Sequence, residues 1–451
     1  MQQGIKKIGG PMDQIAIFKE HLRERVVSYS KVLEELLLPG IVISAGIPFT
    51  YFADDQDAPF VPTPHFSHWC PEHGPYHLLV FSPGKKPKLL RYAPKDFWYD
   101  HSPSPQSFWQ SEFEIEEFAS KEELWSQLDN YKGFAFIGPE EEKAKEKNLK
   151  PNMKPLVSRL DWLRGIKSDY ELSNISTANK MAASAHRVAR QAFFEGGSEL
   201  QIHQAYMREL GCQECDLPYH NIVGLNEKAA VLHYQLKRPD SKGQLLLIDA
   251  GANYLGYAAD ITRTYINQDI PGVFKDLLKG MEQLQQELCS LILPGTSYLH
   301  LHEQAHVKIS ELLIETGLVT GVQQEETINS GISKAFFPHG LGHMLGLQVH
   351  DVSGLQKNAE GDPCDPSARF PTLRTARDLR AREVITVEPG LYFIPMLLNP
   401  LKEGKLAANI DWKLIDVLTP YGGIRIEDNV FIQEGSPKNI TREFLGNDFL
   451  V

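Results

Sequence analysis

The sequence predicts two domains: an α/β domain of about 160 residues, then a larger one of mixed helices and strands. Three observations carry this. The chain has 451 residues, more than one hydrophobic core ordinarily sustains. In the first third, short β-branched and apolar runs alternate with helical spacing, as in a mostly parallel or mixed sheet. In the rest, helical periodicities surround separated strand-like segments that carry carboxylates or imidazoles.

Ile15, Phe18, Leu22, Val26, Tyr29, Leu33 and Leu36 recur at helical spacing and predict one long amphipathic helix. Pro39-Gly40 ends it, and Ile41-Val42-Ile43 follows as a buried strand. Further strands are expected at Tyr76–Phe81, Leu89–Tyr92 and Phe134–Ile137, with a helix near Lys121–Leu128. Between them, Ala58–Pro75 is rich in proline, histidine and aromatic residues. It reads as a long surface loop of the kind that serves function or an interface. The polar, basic run Lys145–Lys154 leads out of this domain. The boundary falls near 155–168, giving domains 1–160 and 161–451. Ser168-Asp-Tyr-Glu171 fits a capping box and opens a helix to about Phe194, which Gly196-Gly197 stops. Helices follow near Leu200–Leu210 and Phe274–Leu291.

Composition narrows the function classes. Hydrophobic residues are 42% and charged residues 23%, ordinary globular values that exclude a disordered or collagen-like chain. With 46 basic against 58 acidic side chains the formal charge is −12. That argues against a general nucleic-acid binder, which needs a basic face. The amino terminus lacks the apolar run of a secretory signal, and nothing approaches the ~20 apolar residues that cross a bilayer. A soluble, cytoplasmic protein without membrane or nucleic-acid partners is expected. Cys70, Cys212, Cys215, Cys289 and Cys364 are sparse and odd in number, which fits a reducing compartment. Cys212-Gln-Glu-Cys215 has zinc-like spacing but no second pair, so a structural or incidental role is expected.

Four segments of the second domain carry chemistry. In the first, Asp249 ends the apolar run Leu245–Ile248 and Asp260 sits in a following strand. A two-residue hairpin turning between Tyr254 and Leu255 would set the two carboxylates opposite each other, their Cβ atoms about 5 Å apart. Two unpaired carboxylates that close repel, and divalent cations remove the conflict. The second segment, Phe336–Asp351, holds His339, His343 and His350 among glycines, which disfavour an uninterrupted helix and allow close backbone approach. In the third, Val384-Ile-Thr-Val-Glu388-Pro-Gly, a strand ends on a glutamate that Pro389 keeps extended. In the fourth, Gly422-Gly-Ile-Arg425-Ile-Glu427-Asp428, alternation puts Arg425 and Glu427 on one face. Two Asp, one His and two Glu make a hard O/N donor set suited to Mn²⁺ or similar ions. Four carboxylates can bridge two metals about 3.5–4 Å apart that share a water or hydroxide. Each segment alone also has an ordinary reading: a turn or cap aspartate, solvated loop histidines, a turn-opening glutamate, an exposed Arg–Glu pair of little energetic value.

Taken together and in order, DAGANYLGYAADITRT, HGLGHMLGLQVHD, VEPGLY and GGIRIED resemble the pita-bread metallopeptidases. Within them the set is most similar to the bacterial Xaa-Pro dipeptidase (prolidase) type, including the branch that hydrolyses organophosphorus acid anhydrides. The resemblance is strong over about 155–451 and weaker before it. It implies an α/β N-terminal domain followed by an α+β pita-bread (creatinase/aminopeptidase-like) catalytic domain. It also implies two divalent ions per subunit, most simply Mn²⁺ with Co²⁺ or Zn²⁺ as alternatives, held by Asp249, Asp260, His343, Glu388 and Glu427. Glu388 would handle the proton of a metal-bridging hydroxide, and His233 would steady the tetrahedral intermediate. His339 and His350 would contact substrate. Arg374 would grip the dipeptide carboxylate, with Arg425, Tyr219 and Tyr298 around the pocket. Asp55 and Trp69 would reach the neighbouring subunit's pocket in a homodimer. The implied activity is hydrolysis of Xaa-Pro dipeptides, with side activity on P–F or P–O bonds. The alternatives are an aminopeptidase P acting on longer Xaa-Pro peptides and a non-catalytic pita-bread peptide-binding module.

Overall fold

The computed structural model describes residues 11–98 and 108–446. The first ten residues, on which the absence of a secretory signal was read, lie outside the described residues. The chain divides into two compact units, one of residues 1–164, 168–173 and 357–362, the other of 165–167, 174–356 and 363–451.

The first unit opens on the helix Pro11–Glu35. Its sheet has six strands: β1 (Ile41–Ser44), β2 (Leu78–Phe81), β3 (Lys88–Tyr92), β4 (Glu114–Phe118), β5 (Ala135–Ile137) and β6 (Lys150–Pro151), in the order β4-β3-β2-β1-β5-β6. Pairings of β1 with β5, β5 with β6 and β3 with β4 are parallel, and those of β2 with β1 and β3 antiparallel. This is the mixed sheet that strand–helix alternation implies. The strand expected from Tyr76 begins at Leu78, because Tyr76 adopts a positive φ of 69° that no β ladder accommodates. Ser120 caps the helix Lys121–Ser126 by accepting from the Glu123 amide.

The second unit packs long helices on short ladders. The Ser168/Glu171 capping box, whose residues belong to the first unit, forms: the Ser168 amide donates to Glu171 Oε2 at 2.9 Å and the Glu171 amide to Ser168 Oγ at 3.3 Å. The helix Asp169–Phe194 follows, then Glu199–Leu210 behind a second box of Ser198 and Gln201. Strands β7 (Ile222–Leu225), β8 (Leu245–Asp249) and β11 (Thr262–Ile266) form a sheet in the order β11-β8-β7. The continuous apolar run of β8 has a simple cause: both of its faces are buried. Leu245 and Leu247 join the core that includes the helices Gly272–Ser290 and Tyr298–Glu315, while Leu246 and Ile248 face the helices Asp169–Phe194 and Glu199–Leu210. Asp249 continues the Leu245–Leu247 face by alternation.

The hairpin after β8 differs from expectation by one residue in its turn. β9 (Ala252–Tyr254) pairs with β10 (Tyr257–Ala259), Tyr254 opposite Tyr257. The turn residues are Leu255 and Gly256, with φ of 50° and 87°, the left-handed pair of a type I′ turn. Asp249 therefore lies opposite Thr262, not Asp260. The slip is two residues in register, so both carboxylates stay on one side of the ribbon. Strands β12 (Val384–Val387) and β15 (Asp428–Phe431) pair antiparallel, as do β13 (Gly390–Tyr392) and β14 (Gly423–Arg425). No helix among the described residues is long and apolar enough to cross a membrane.

Candidate active site

Each candidate carboxylate sits where a β ladder is interrupted. Val387 pairs with Asp428 and Gly390 with Arg425. The two ladders share one register, and Glu388 and Glu427 face each other in the gap. Pro389 makes the gap, since it has no amide hydrogen to donate. The hairpin holding Asp249 and Asp260 is interrupted in the same way between Asp249–Thr262 and Ala252–Ala259. A bridge between Thr262 and Glu427 joins the two ribbons, with the Glu427 amide donating to Thr262 O at 3.0 Å. The histidine-rich segment lies along the outer side of β12. The Thr386 amide donates to His343 O, the Glu388 amide to Leu341 O, and the His343 amide to Thr386 Oγ1, at 2.8–3.0 Å. A Cβ on Gly342 would meet Thr386 O and the Tyr298 hydroxyl, so glycine is what lets this segment approach.

The result is one cavity of about 560 Å³ lined by Asp249, Asp260, His343, Glu388 and Glu427 together with Tyr219, His233, His339, His350, Arg374 and Arg425. Three residues named from the sequence are not among its lining. Tyr298 is fully buried, and its hydroxyl donates to Thr386 O at 2.7 Å; it supports the wall from behind. Trp69 is fully buried in the first unit against Tyr29 and Phe81, ring centroids 4.9 Å away in each case. Its indole is spent in that packing, so the expectation that it reaches a neighbouring subunit is corrected. Asp55 lies on an exposed turn, its amide donating to Asp54 Oδ1 at 2.7 Å.

The cavity carries more negative charge than its cations balance. Burial pushes Glu388 up to about 7, with Asp260 and Asp249 adding to it against His343 and Arg425. Burial and the same neighbouring carboxylates lift Glu427 well above the usual range, and burial lifts Asp249 despite Arg425. Burial also acts upward on Asp260, but hydrogen bonds from His343 and Tyr219 outweigh it and hold the carboxyl below its ordinary value. The Tyr219 hydroxyl reaches Asp260 Oδ1 at 2.5 Å, across Gly251, where a Cβ would press on the Tyr219 ring at 2.8 Å. Carboxylates this crowded ionise together only beside a compensating cation.

The donor atoms fit that need. Asp260, His343 and Glu427 offer atoms all within 4.8 Å of one another. His343 Nδ1 faces Met344 O at 3.0 Å. A carbonyl only accepts, so that nitrogen carries a hydrogen, and Nε2 is left as the nitrogen that a metal ion would take in place of a proton. Nε2 points into the cavity, 3.5 Å from Asp260 Oδ2 and 3.6 Å from Glu388 Oε1. Asp249 Oδ1 is buried with no hydrogen-bond partner among the described residues, while its Oδ2 accepts from Arg425 at 2.6 Å. A buried carboxylate oxygen left so is costly unless a ligand completes it.

Three residues with clear places here were given no role from sequence. Thr262 donates to Glu427 Oε2 at 2.7 Å; it lies two residues beyond Asp260, so strand alternation could have found it. Asn429 clamps the Asp260 backbone, accepting from its amide at 3.0 Å and donating to its carbonyl at 2.5 Å. Tyr392 accepts from Arg425 at 2.9 Å and donates to His339 Nε2 at 2.8 Å, because His339 Nδ1 is committed to Gly340 O. No local pattern marks the last two. Their partners are brought by other strands. The His350 ring lies 4.4 Å from that of His343. Arg374 is exposed at the cavity and makes no hydrogen bond or ion pair among the described residues.

Comparison with known proteins agrees with this geometry. Residues 173–434 match metallopeptidase family M24, and residues 16–162 match the Xaa-Pro dipeptidase N-terminal domain. The chain is 39% identical over 439 residues to an Xaa-Pro dipeptidase of Shewanella woodyi, covering 96% of this chain and 99% of that protein. It is 40% identical over 441 residues to one from Enterobacter sp. strain 638, with the same coverage. Among solved structures, E. coli aminopeptidase P with the inhibitor Pro-Leu superposes with a TM-score of 0.71 at 24% identity, over 95% of both chains. The zinc-substituted form of that enzyme in complex with product gives 0.70 with the same identity and coverage. These structures speak to the fold.

Proposed function

The chain belongs to metallopeptidase family M24, and from that membership and the site geometry we propose that it is a dinuclear-metal dipeptidase of Xaa-Pro substrates. One observation carries the reading. Asp249, Asp260, His343, Glu388 and Glu427 converge in a single cavity that an uncommitted cation, Arg374, also lines. Those five side chains would hold two divalent ions, Mn²⁺ being suited to hard oxygen and imidazole donors. When bound, such ions supply a nucleophilic water near neutral pH and polarise the scissile carbonyl. A bond to proline has no amide hydrogen for a protease to grip, so this chemistry suits it.

The chain's own residues do the rest. Glu388 takes the proton of the attacking water and returns it to the departing proline nitrogen. His233 donates to the developing oxyanion. His350, beside His343, contacts the substrate. His339 does so by giving up its bond to Tyr392. Arg425 keeps Asp249 oriented through its 2.6 Å bond. Tyr219 does the same for Asp260. Arg374 receives the proline carboxylate, a bidentate match that longer peptides lack.

The same attack on phosphorus would cleave P–F or P–O bonds, the proposed side activity. Residues 1–160 would form the dimerisation domain and 161–451 the catalytic one. The partner in solution is a second copy in the cytoplasm. Phe49 and Phe52, 68% and 101% exposed, precede Asp55 on the exposed segment that would reach that copy.

The test is direct. Purified protein with Mn²⁺ is expected to cleave an Xaa-Pro dipeptide faster than an Xaa-Pro-Xaa tripeptide, to act slowly on a phosphofluoridate, and to stop with EDTA. Equal rates on dipeptide and tripeptide would transfer the reading to an aminopeptidase P.

A further inference from the structure

No helix or strand forms among the described residues between Phe336 and Val384, yet Thr372 and Arg374 of this stretch line the cavity. Backbone bonds fix the chain just beyond them, from the Ala376 amide to Gly354 O and from the Tyr298 amide to Arg377 O, each at 3.1 Å, but on the Thr372 side the arm is held by side-chain packing. Phe370 is 4% exposed and Leu373 2%, unusually deep for an irregular segment. The Phe370 ring stacks on His306 at 4.8 Å with planes 17° apart, and meets His302 edge-on at 4.4 Å. His302 and His306 stand one turn apart on the helix Tyr298–Glu315 and are each 1% exposed. Burial lowers them to about 2 and about 4, so both rings are neutral plates at physiological pH. His306 Nδ1 is fixed by Ser333 Oγ at 3.1 Å. The fourth ring, Phe337, lies 5.4 Å from His302 and 5.1 Å from His306, and its other side meets His339 at 4.9 Å. One box of four rings thus touches both the arm that bears Arg374 and the wall that bears His339. Leu373 closes the remaining side against Gly340, where a Cβ would sit 3.1 Å from its Cα.

We propose that this box of His302, His306, Phe337 and Phe370 sets the distance between Arg374 and the reacting centre, and so selects substrate by length. The proposal rests on the dipeptidase reading above. His302 and His306 are positioning residues. They touch no substrate and act through Phe370 on the arm. Loosening the box leaves the carboxylate cluster untouched but lets Arg374 drift, and small displacements of a positioning group are costly.

The experiment measures kcat and KM for an Xaa-Pro dipeptide and an Xaa-Pro-Xaa tripeptide with the Mn²⁺-loaded full chain. The variants are Phe370→Leu, His306→Leu, His306→Phe, Arg374→Ala and Phe370→Leu/Arg374→Ala. Phe370→Leu and His306→Leu are expected to raise the dipeptide KM roughly tenfold and to shrink the dipeptide preference by a similar factor, with kcat within about twofold. His306→Phe keeps the stacking ring and is expected to restore the preference. The double variant should match Arg374→Ala alone, since residues acting through one group are not additive. If kcat and KM change in both substrates alike, or the double variant loses more than Arg374→Ala, the box is ordinary packing and the proposal is overturned. If Arg374→Ala itself leaves the dipeptide preference intact, the dipeptidase reading of the arm fails instead.

Discussion

Glu427 and Asp428 are consecutive, both almost fully buried, and electrostatically opposite. Glu427 faces the cavity, where four carboxylates meet the cations Arg425 and His343, and its carboxyl is driven up. Asp428 faces the other way. Its Oδ1 accepts from Arg263 at 2.6 Å, and its Oδ2 accepts from Arg442 at 2.6 Å and Asn439 at 2.7 Å. Against the upward push of burial, Arg263 and Arg442 hold it well below the usual carboxylate range. Arg442 also meets Glu282 at 2.5 Å. One face of the strand is a balanced ion network whose partners are all protein. The other is unbalanced by design and needs ligands from outside. Burial of charge by itself marks neither structure nor function. The missing countercharge does.

The largest effect that sharpens this contrast is on catalysis. Asp260→Ala or Glu427→Gln should lower kcat beyond the roughly 10²–10³ of a single lost transition-state donor and reduce bound metal below two ions per chain. Retained activity in either variant would break the proposed centre. In metal-free protein the same Glu427→Gln change should leave stability equal or higher, because glutamine resembles the uncharged carboxyl that burial already favours there.

Across the strand, Asp428→Asn should do the reverse. It strands Arg263 and Arg442 and should cost about 3–5 kcal/mol in denaturant unfolding, while metal content stays at the wild-type level. Equal stability losses at the two neighbours would erase the distinction.

The third test uses pH. The folded Glu388 carboxyl lies near 7 against an ordinary 4.5. A raised carboxyl contributes stability that is full below 4.5 and lost as pH rises through 7. Metal-free protein should therefore weaken between about pH 4.5 and 7, and Mn²⁺ should abolish that slope by restoring charge balance. Asp428, lowered, contributes stability that survives to acid pH and is lost only as pH falls below its ordinary value. Thermal midpoints across this range, with and without EDTA, separate the two. The smallest effect is at Tyr219→Phe, which removes the 2.5 Å donor to Asp260. Losing such an outer partner should weaken metal binding by about 10–100-fold, measured by competition with a chromophoric chelator.

Much of the site was legible in one dimension. Asp249, Asp260, Glu388 and Glu427 end or interrupt apolar strands, and a carboxylate there has no reason to be buried unless something binds it. His343 among glycines is legible for the same reason, since Gly342 matters only where backbone closes on backbone. Trp69 was misplaced because an aromatic residue in a proline-rich loop looks the same whether it caps a partner or fills its own core. Tyr298 and Tyr219 look alike in sequence, yet one hydroxyl is consumed by Thr386 O and the other by Asp260.

The sequence by itself determined the two-domain order, the mixed first sheet, the Ser168/Glu171 cap and which carboxylates and imidazoles are candidate donors, because propensity, alternation and capping act over a few residues. Only the tertiary structure decided the register that pairs Asp249 with Thr262, the facing of Glu388 and Glu427 across a proline-made gap, and the packing of Phe370 against His302 and His306. Those depend on contacts between residues far apart in the chain, and on two positive φ angles at Leu255 and Gly256 that shift a hairpin by two places without changing which side its carboxylates face.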